Sequence, residues 1–255
     1  TQKYLRFLQT GQVPEWEVPN MITKYKITTQ ALKLATAAER TVKLSQKKNK
    51  IDVTIGGDLF TSYRYDESLT KPILFPVYSP SNYKINRSFP FEKVEGESTD
   101  HPHHTGIFFT YDSVNGSGFW NNTTYPPKIE QGDIIARHNN TNTASIKSQM
   151  SWMDKNNKKI LTEDRVMVFT AMKDQYWIDF DIKLTAADEK VVFKDTKEGM
   201  FAIRVAQCLK ENTGNAMYRS SSGREKASGV WGRRAKWVTL QGVKNGKDVG
   251  IAIMN

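Results

Sequence analysis

The chain predicts an all-β fold, a large antiparallel β-sandwich with few helices. Three observations lead there. Apolar residues alternate with polar ones over short stretches, as in Ile51, Val53 and Ile55, and again in Tyr176, Ile178, Phe180 and Ile182; a period of two marks a strand with one buried face. Gly, Asn and Asp turns punctuate those stretches. About a dozen such stretches, with almost no helical periodicity, fit two packed sheets. At 255 residues, 38% hydrophobic and 11% aromatic, the chain can bury a sizeable core.

The elements follow in order. Residues 1–40 are expected as an N-terminal extension or lead-in strands, and 41–255 as a single sandwich domain. Within 29–39, Ala and Leu favour a helix, but the β-rich flanks leave a strand equally open. Val42 and Leu44 alternate, a Lys/Asn turn follows, and Ile51, Val53 and Ile55 return. Gly56-Gly57-Asp58 signals a hairpin, with its second strand over 59–65. The stretch 72–78 contains Pro76, which has no N–H to donate, so it is expected as an edge or bulged strand. Ile107, Phe108 and Phe109 read as a buried strand. A meander is expected with strands over 134–138, 144–152, 160–172, 175–185 and 190–193. Phe201, Ile203 and Val205 alternate as core. Residues 212–228 are expected as a mobile polar loop, then a strand over 231–237 and a last one over 249–254. A strand that ends the chain suggests a domain that is incomplete at its C-terminus.

Composition narrows the function classes. No run of about 18 apolar residues exists, so no membrane span is expected. The single Cys208 rules out an internal disulfide and is expected as a core thiol. The net charge of +10 favours anionic partners. There is no nucleic-acid motif, no phosphate-binding Gly loop and no CxxC, so nucleic acid is not expected.

Three of the four histidines lie in the ten residues 100–109, as Asp100-His101-Pro102-His103-His104. Imidazole changes charge near physiological pH and ligates metals. Read as an extended segment, His101 and His103 face one way, Asp100 and His104 the other. Three readings stand: acid/base catalysis or polar substrate binding; a metal site on the His101/His103 pair, with His138 or a carboxylate as third ligand; or a structural corner.

Long connections flank the motif. Residues 79–104 carry Arg87, and residues 112–127 carry Phe119-Trp120 in a Gly/Asn/Thr/Pro setting. Aromatics in polar loops are platforms for sugar rings, or anchors to the core. Arg204, between Ala202 and Ala206, has room to reach a cleft, with Glu198 as its ion-pair partner or as a general base. Trp231, Arg233 and Trp237 would share one strand face and could bind a carboxylated sugar or pack as core.

The motif at 100–109, with Asn115-Gly116 and Phe119-Trp120 after it, resembles the uncharacterised bacterial family labelled methane oxygenase PmoA. Segments 71–76, 195–205 and 231–237 resemble it too, and the likeness spans about 50–255. The label does not carry over literally, since methane oxygenase subunits are membrane proteins. The resemblance implies a protein encoded near carbohydrate-degradation genes, with a sandwich similar to galactose mutarotases and polysaccharide lyases. It also implies a further C-terminal His-Pro and a Trp-His-Ala-Arg-Gly-Tyr-like segment that the sequence lacks.

The expectation is a periplasmic or extracellular carbohydrate-active protein. Its chemistry would be proton transfer, epimerase or lyase type, on an acidic or oxidised sugar. His103, His104 and Glu198 are the expected acid/base groups; His101, Arg87, Trp120, Arg204, Trp231 and Arg233 are the expected substrate contacts. No cofactor is expected. A non-catalytic glycan-binding module and a metal-dependent oxygenase or hydrolase on His101 and His103 are the alternatives.

Overall fold

The computed structural model describes residues 3–8, 41–139, 141–172 and 174–255, the backbone alone for 3–8 and 135–139. The expected helix or strand over 29–39 lies outside them. The strands are β1 (Lys3–Leu8), β2 (Val42–Lys47), β3 (Lys50–Ile55), β4 (Asp58–Arg64), β5 (Ile73–Val77) and β6 (Ile107–Tyr111). Then come β7 (Lys128–Asn139), β8 (Thr143–Met153), β9 (Lys159–Ala171), β10 (Gln175–Ala186) and β11 (Gly199–Ile203). The last are β12 (Met217–Ser220), β13 (Trp237–Lys244) and β14 (Lys247–Met254), with one short helix, α1 (Lys226–Val230), between β12 and β13.

They form two antiparallel sheets. The larger runs β12-β13-β14-β1-β10-β9-β8-β7 and the smaller runs β11-β6-β5-β4-β3-β2. The fold is the all-β sandwich that the alternating pattern predicts. β1 sits between β14 and β10, so residues 3–8 belong to the larger sheet.

The inner faces close over one core. Val53, Ile55 and Phe60 from the smaller sheet meet Phe169, Tyr176 and Ile178 from the larger. Phe60 packs edge-on against Tyr176, with ring centroids 5.0 Å apart. Towards β8 and β9 the interior turns polar. Trp152 donates its indole N–H to Glu163 at 2.9 Å, and Arg165 donates its Nε to the same carboxylate at 2.7 Å. Glu163 and Arg165 are both buried. The smaller sheet also has an apolar outer face, where Ile73, Phe75 and Phe108 meet Trp120 and Phe91 from the two long connections.

Four local expectations need correction. β5 is an internal strand, between β4 and β6. Pro76 is accommodated by a register shift opposite it, between Thr61 and Tyr63, so the bulge is present and the free edge is not. Residues 190–193 form no strand; Phe193 makes a single bridge to Val114. Residues 212–228 are not an open loop, because β12 pairs with β13 inside them. Residues 231–237 are not a strand either. Gly232 takes a φ of +65°, a left-handed turn that breaks the extended path, and β13 begins only at Trp237.

The buried pair gives the first prediction. Glu163→Ala leaves Arg165 charged and uncompensated, which should cost about 3–5 kcal/mol in urea unfolding. The double change to methionine at both positions should recover most of that loss. Equal destabilisation by the single and double variants would contradict this account.

Candidate functional site

The site is built where three backbone segments run side by side. The Arg204 N–H donates to the Gly106 carbonyl at 3.0 Å, and the Arg87 N–H donates to the Arg204 carbonyl at 2.9 Å. The end of β11, the start of β6 and the 79–104 connection are thereby pinned together. Gly106 has a φ of +60°, and a Cβ there would lie 2.2 Å from the Leu74 carbonyl oxygen. Only glycine fits this step between the histidine motif and β6.

The motif itself is a tight turn. The His104 N–H donates to the His101 carbonyl at 3.0 Å, with Pro102 at the second position, where its fixed φ suits a turn. His101 takes a φ of +46°, a left-handed conformation that histidine tolerates better than most residues. The extended reading, with alternating faces, is therefore corrected: the turn gathers all three imidazoles. The His101 and His104 rings stack with centroids 5.0 Å apart, and His103 meets His104 edge-on at 4.4 Å.

A buried arginine holds this turn. Arg87 is 1% exposed. Its Nη1 donates to the carbonyls of Ser98 (3.2 Å) and Asp100 (2.7 Å), and its Nη2 to those of His101 (2.9 Å) and His104 (3.2 Å). Nη1 also donates to Asp100 Oδ1 at 2.9 Å; with its Nη groups taken up by this loop, Arg87 shapes the site from behind. Arg204 reaches out from the end of β11, as its setting between alanines suggests, and donates to both carboxylate oxygens of Asp100 at 2.7 and 2.8 Å. Its partner is Asp100 and not Glu198, which pairs loosely with Lys197 at 3.5 Å. Asp100 also meets His101 Nδ1 at 2.5 Å. Burial opposes its ionisation, but hydrogen bonds from His101, Ser98 and Arg204 and the Arg204 charge hold its carboxyl far below the usual range.

The imidazoles differ in their surroundings. His104 accepts the Trp120 indole N–H at Nε2, 3.2 Å away, and its Nδ1 faces the Arg204 Nη1 at 3.5 Å. Burial, then the charges of His103, Arg204, His101 and Arg87, push it down to about 3, so it is neutral at pH 7. His103 has no hydrogen-bond partner at its buried Nε2. Burial and the nearby Lys71 lower its proton affinity, while Glu198 opposes the shift. Trp120, 7% exposed, packs at 5.1 Å on Phe108; it anchors the site's floor, and its ring face is not open as a platform.

Lys71 was not singled out from the sequence as a site residue. It is 2% exposed, and its ammonium lies 5.2 Å from the Phe108 ring centroid. Burial pushes it down to about 7. The signal was available: Lys71 shares parity with Ile73 and Phe75, which face the outer apolar cluster.

Beside the turn, a cavity of about 690 Å³ opens between the sheet ends. Asp100 and Arg204 line it together with Phe201, Ile203, Leu240 and Ile251. Trp231 is 75% exposed after α1 and Arg233 is exposed; among the described residues no contact joins either to the histidine turn. For the metal alternative, no three His, Cys, Asp or Glu among the described residues form a metal-holding group, and the His138 side chain lies outside them. No helix among the described residues is long and apolar enough to cross a membrane.

Residues 50–255 match the model of a family of unknown function, DUF6807. The chain belongs to that family. The match carries no methane-oxygenase label. Residues 1–36 match a second model, described as "Putative oxidoreductase C terminal domain". No curated protein and no solved structure matches the chain. Arg87, the histidine turn, Lys71, Glu198 and Arg204 all lie in the stretch assigned to DUF6807.

Two predictions follow from this geometry. Arg87→Met removes hydrogen bonds from a charged donor, each worth about 1.5–3 kcal/mol. It should lower the melting temperature and speed amide exchange across residues 98–104; unchanged exchange would mean that the turn is held by other contacts. For Lys71, the unfolded amine titrates near 10.5 and the folded one near 7. Between these values the unfolded chain holds a proton that the folded chain does not, so the lysine's contribution makes stability rise with pH from 7 to 10.5. Lys71→Met should therefore gain on the parent protein at pH 7 more than at pH 10. A constant gap would show that Lys71 titrates normally.

Proposed function

We propose that this DUF6807 protein is a periplasmic or extracellular carbohydrate-active enzyme doing proton-transfer chemistry, epimerase or lyase type, on an acidic or oxidised sugar. The observation that carries this reading is His103: a histidine without a partner at a buried Nε2, with lowered proton affinity, in a turn fixed from behind. A neutral imidazole so placed is a competent base at pH 7. It would take the proton from the carbon beside a carboxylate or ketone. Arg204 would meet the negative charge that develops on the carbonyl oxygen.

Two outcomes balance. Return of a proton to the opposite face of that carbon, from Glu198, inverts the centre. Loss of an oxygen substituent from the next carbon, taking the electron pair, gives an unsaturated sugar. His104, neutral and held by Trp120, keeps the imidazoles in register and moves no proton in this scheme. Two further supports are the net charge of +10 and the match of residues 1–36 to an oxidoreductase domain, since oxidation of a hydroxyl is the class of reaction that makes a keto-sugar.

The test is turnover on a panel of uronides and keto-sugars, with products followed by mass spectrometry and by proton exchange in deuterated water. His103→Asn should cut turnover about 10²- to 10⁴-fold with melting unchanged. Undiminished turnover would remove His103 from the chemistry. A second reading, a non-catalytic glycan-binding module, is favoured by the exposure of Trp231. It predicts glycan binding that Trp231→Ala weakens, with no product formed from any panel member.

A further inference from the structure

Lys71 is the largest unexplained feature of the site. It lies on the outer apolar face of the smaller sheet, with the Phe108 ring beside its ammonium. Among the described residues no ion pair joins Lys71 to a carboxylate. Asp100 serves Arg204, Arg87 and His101. Glu198 pairs with Lys197. Lys71 also borders a cleft of about 340 Å³ that holds Asp66, Glu67 and Glu130, but Asp66 is bound by Arg64 at 3.0 Å and burial is the one cause that acts on the lysine. The charge of Lys71 bears directly on His103, whose buried Nε2 has no partner either. A lysine that is 2% exposed and has no ion pair, near an imidazole nitrogen that is buried without a partner, marks a place that a ligand completes.

We propose that Lys71 is the anion-recognising residue of this site, its ammonium pairing with the carboxylate of a sugar acid beside His103. The inference rests on the sugar reading above and narrows it to the acidic class. A buried ammonium without a counter-ion is costly, and a buried pair much less so. Anion and proton therefore bind together. An incoming carboxylate raises the proton affinity of the amine, so above neutral pH the protein takes up a proton from solvent as the anion binds. The cation's ring contact with Phe108 persists in the paired state.

The experiment is calorimetry of the full chain with galacturonate and with galactose at pH 8, each in two buffers of different ionisation heat. The parent protein should bind the uronate at least about tenfold more tightly than the neutral sugar, which is about 1.4 kcal/mol, and take up close to one proton per site. Lys71→Met should lose both the preference and the proton uptake while its galactose affinity stays. Uronate binding and proton uptake unchanged in Lys71→Met would overturn the proposal. So would a covalent adduct on Lys71 after borohydride treatment with a keto-sugar, since that would make the amine an imine-forming nucleophile.

A second arm uses no sugar. At matched ionic strength and pH 8, acetate in place of chloride should raise the melting temperature of the parent protein and not that of Lys71→Met. Equal responses would overturn the proposal. If neither sugar binds the parent protein while acetate discriminates the two, the carbohydrate reading fails and the anion site stands.

Discussion

A single guanidinium taken out of water organises the site. Arg87 could not stay buried as a free charge, and one carboxylate contact with Asp100 would not satisfy its donors. Four carbonyls of one loop serve its two Nη groups, and its Nε has no partner. Because those carbonyls must converge on two nitrogens, the loop has little freedom in its path. The left-handed His101 and the crowding of three rings are consequences of that convergence.

The same crowding decides the chemistry available. Burial and the neighbouring positive charges make a charge on His103 or His104 expensive, so these two remain neutral where isolated histidines would titrate. Asp100 takes the opposite course and stays ionised. One fixed anion, two fixed cations and the neutral His103 and His104 form a site poised to receive charge. The cavity next to the Asp100–Arg204 pair has Phe201, Ile203, Leu240 and Ile251 on its wall, and charges act more strongly beside such apolar groups than in open water.

Much of this was legible in the sequence, and the misses have physical causes. Alternation located β9 and β10, because each buries one face, and the apolar run 249–254 located β14. The histidine motif stood out by composition, and Arg204 by its small neighbours. Alternation misled at 231–237, where Trp, Arg and Ala repeat with period two around a glycine that turns the chain. The interior place of β5 could not be read from Pro76, because the compensation lies on the partner strand. Arg87 was expected as a substrate contact, since nothing in a sequence says that a loop will fold its carbonyls around a side chain. Lys71 is legible only by parity, which places it with Ile73 and Phe75.

Gly106 carries a consequence for inheritance. A side chain at this position meets the Leu74 backbone whatever rotamer it takes, and the backbone there cannot yield without unpairing β5 from β6. The histidine turn and β6 are thus welded at a fixed angle, with the Leu74 peptide as the third part of the joint. They cannot drift apart residue by residue. A transplant of the turn into another sandwich would have to carry the glycine, the strand after it and the facing stretch of β5 as one cassette, with a buried arginine supplied from a fourth segment to hold it shut.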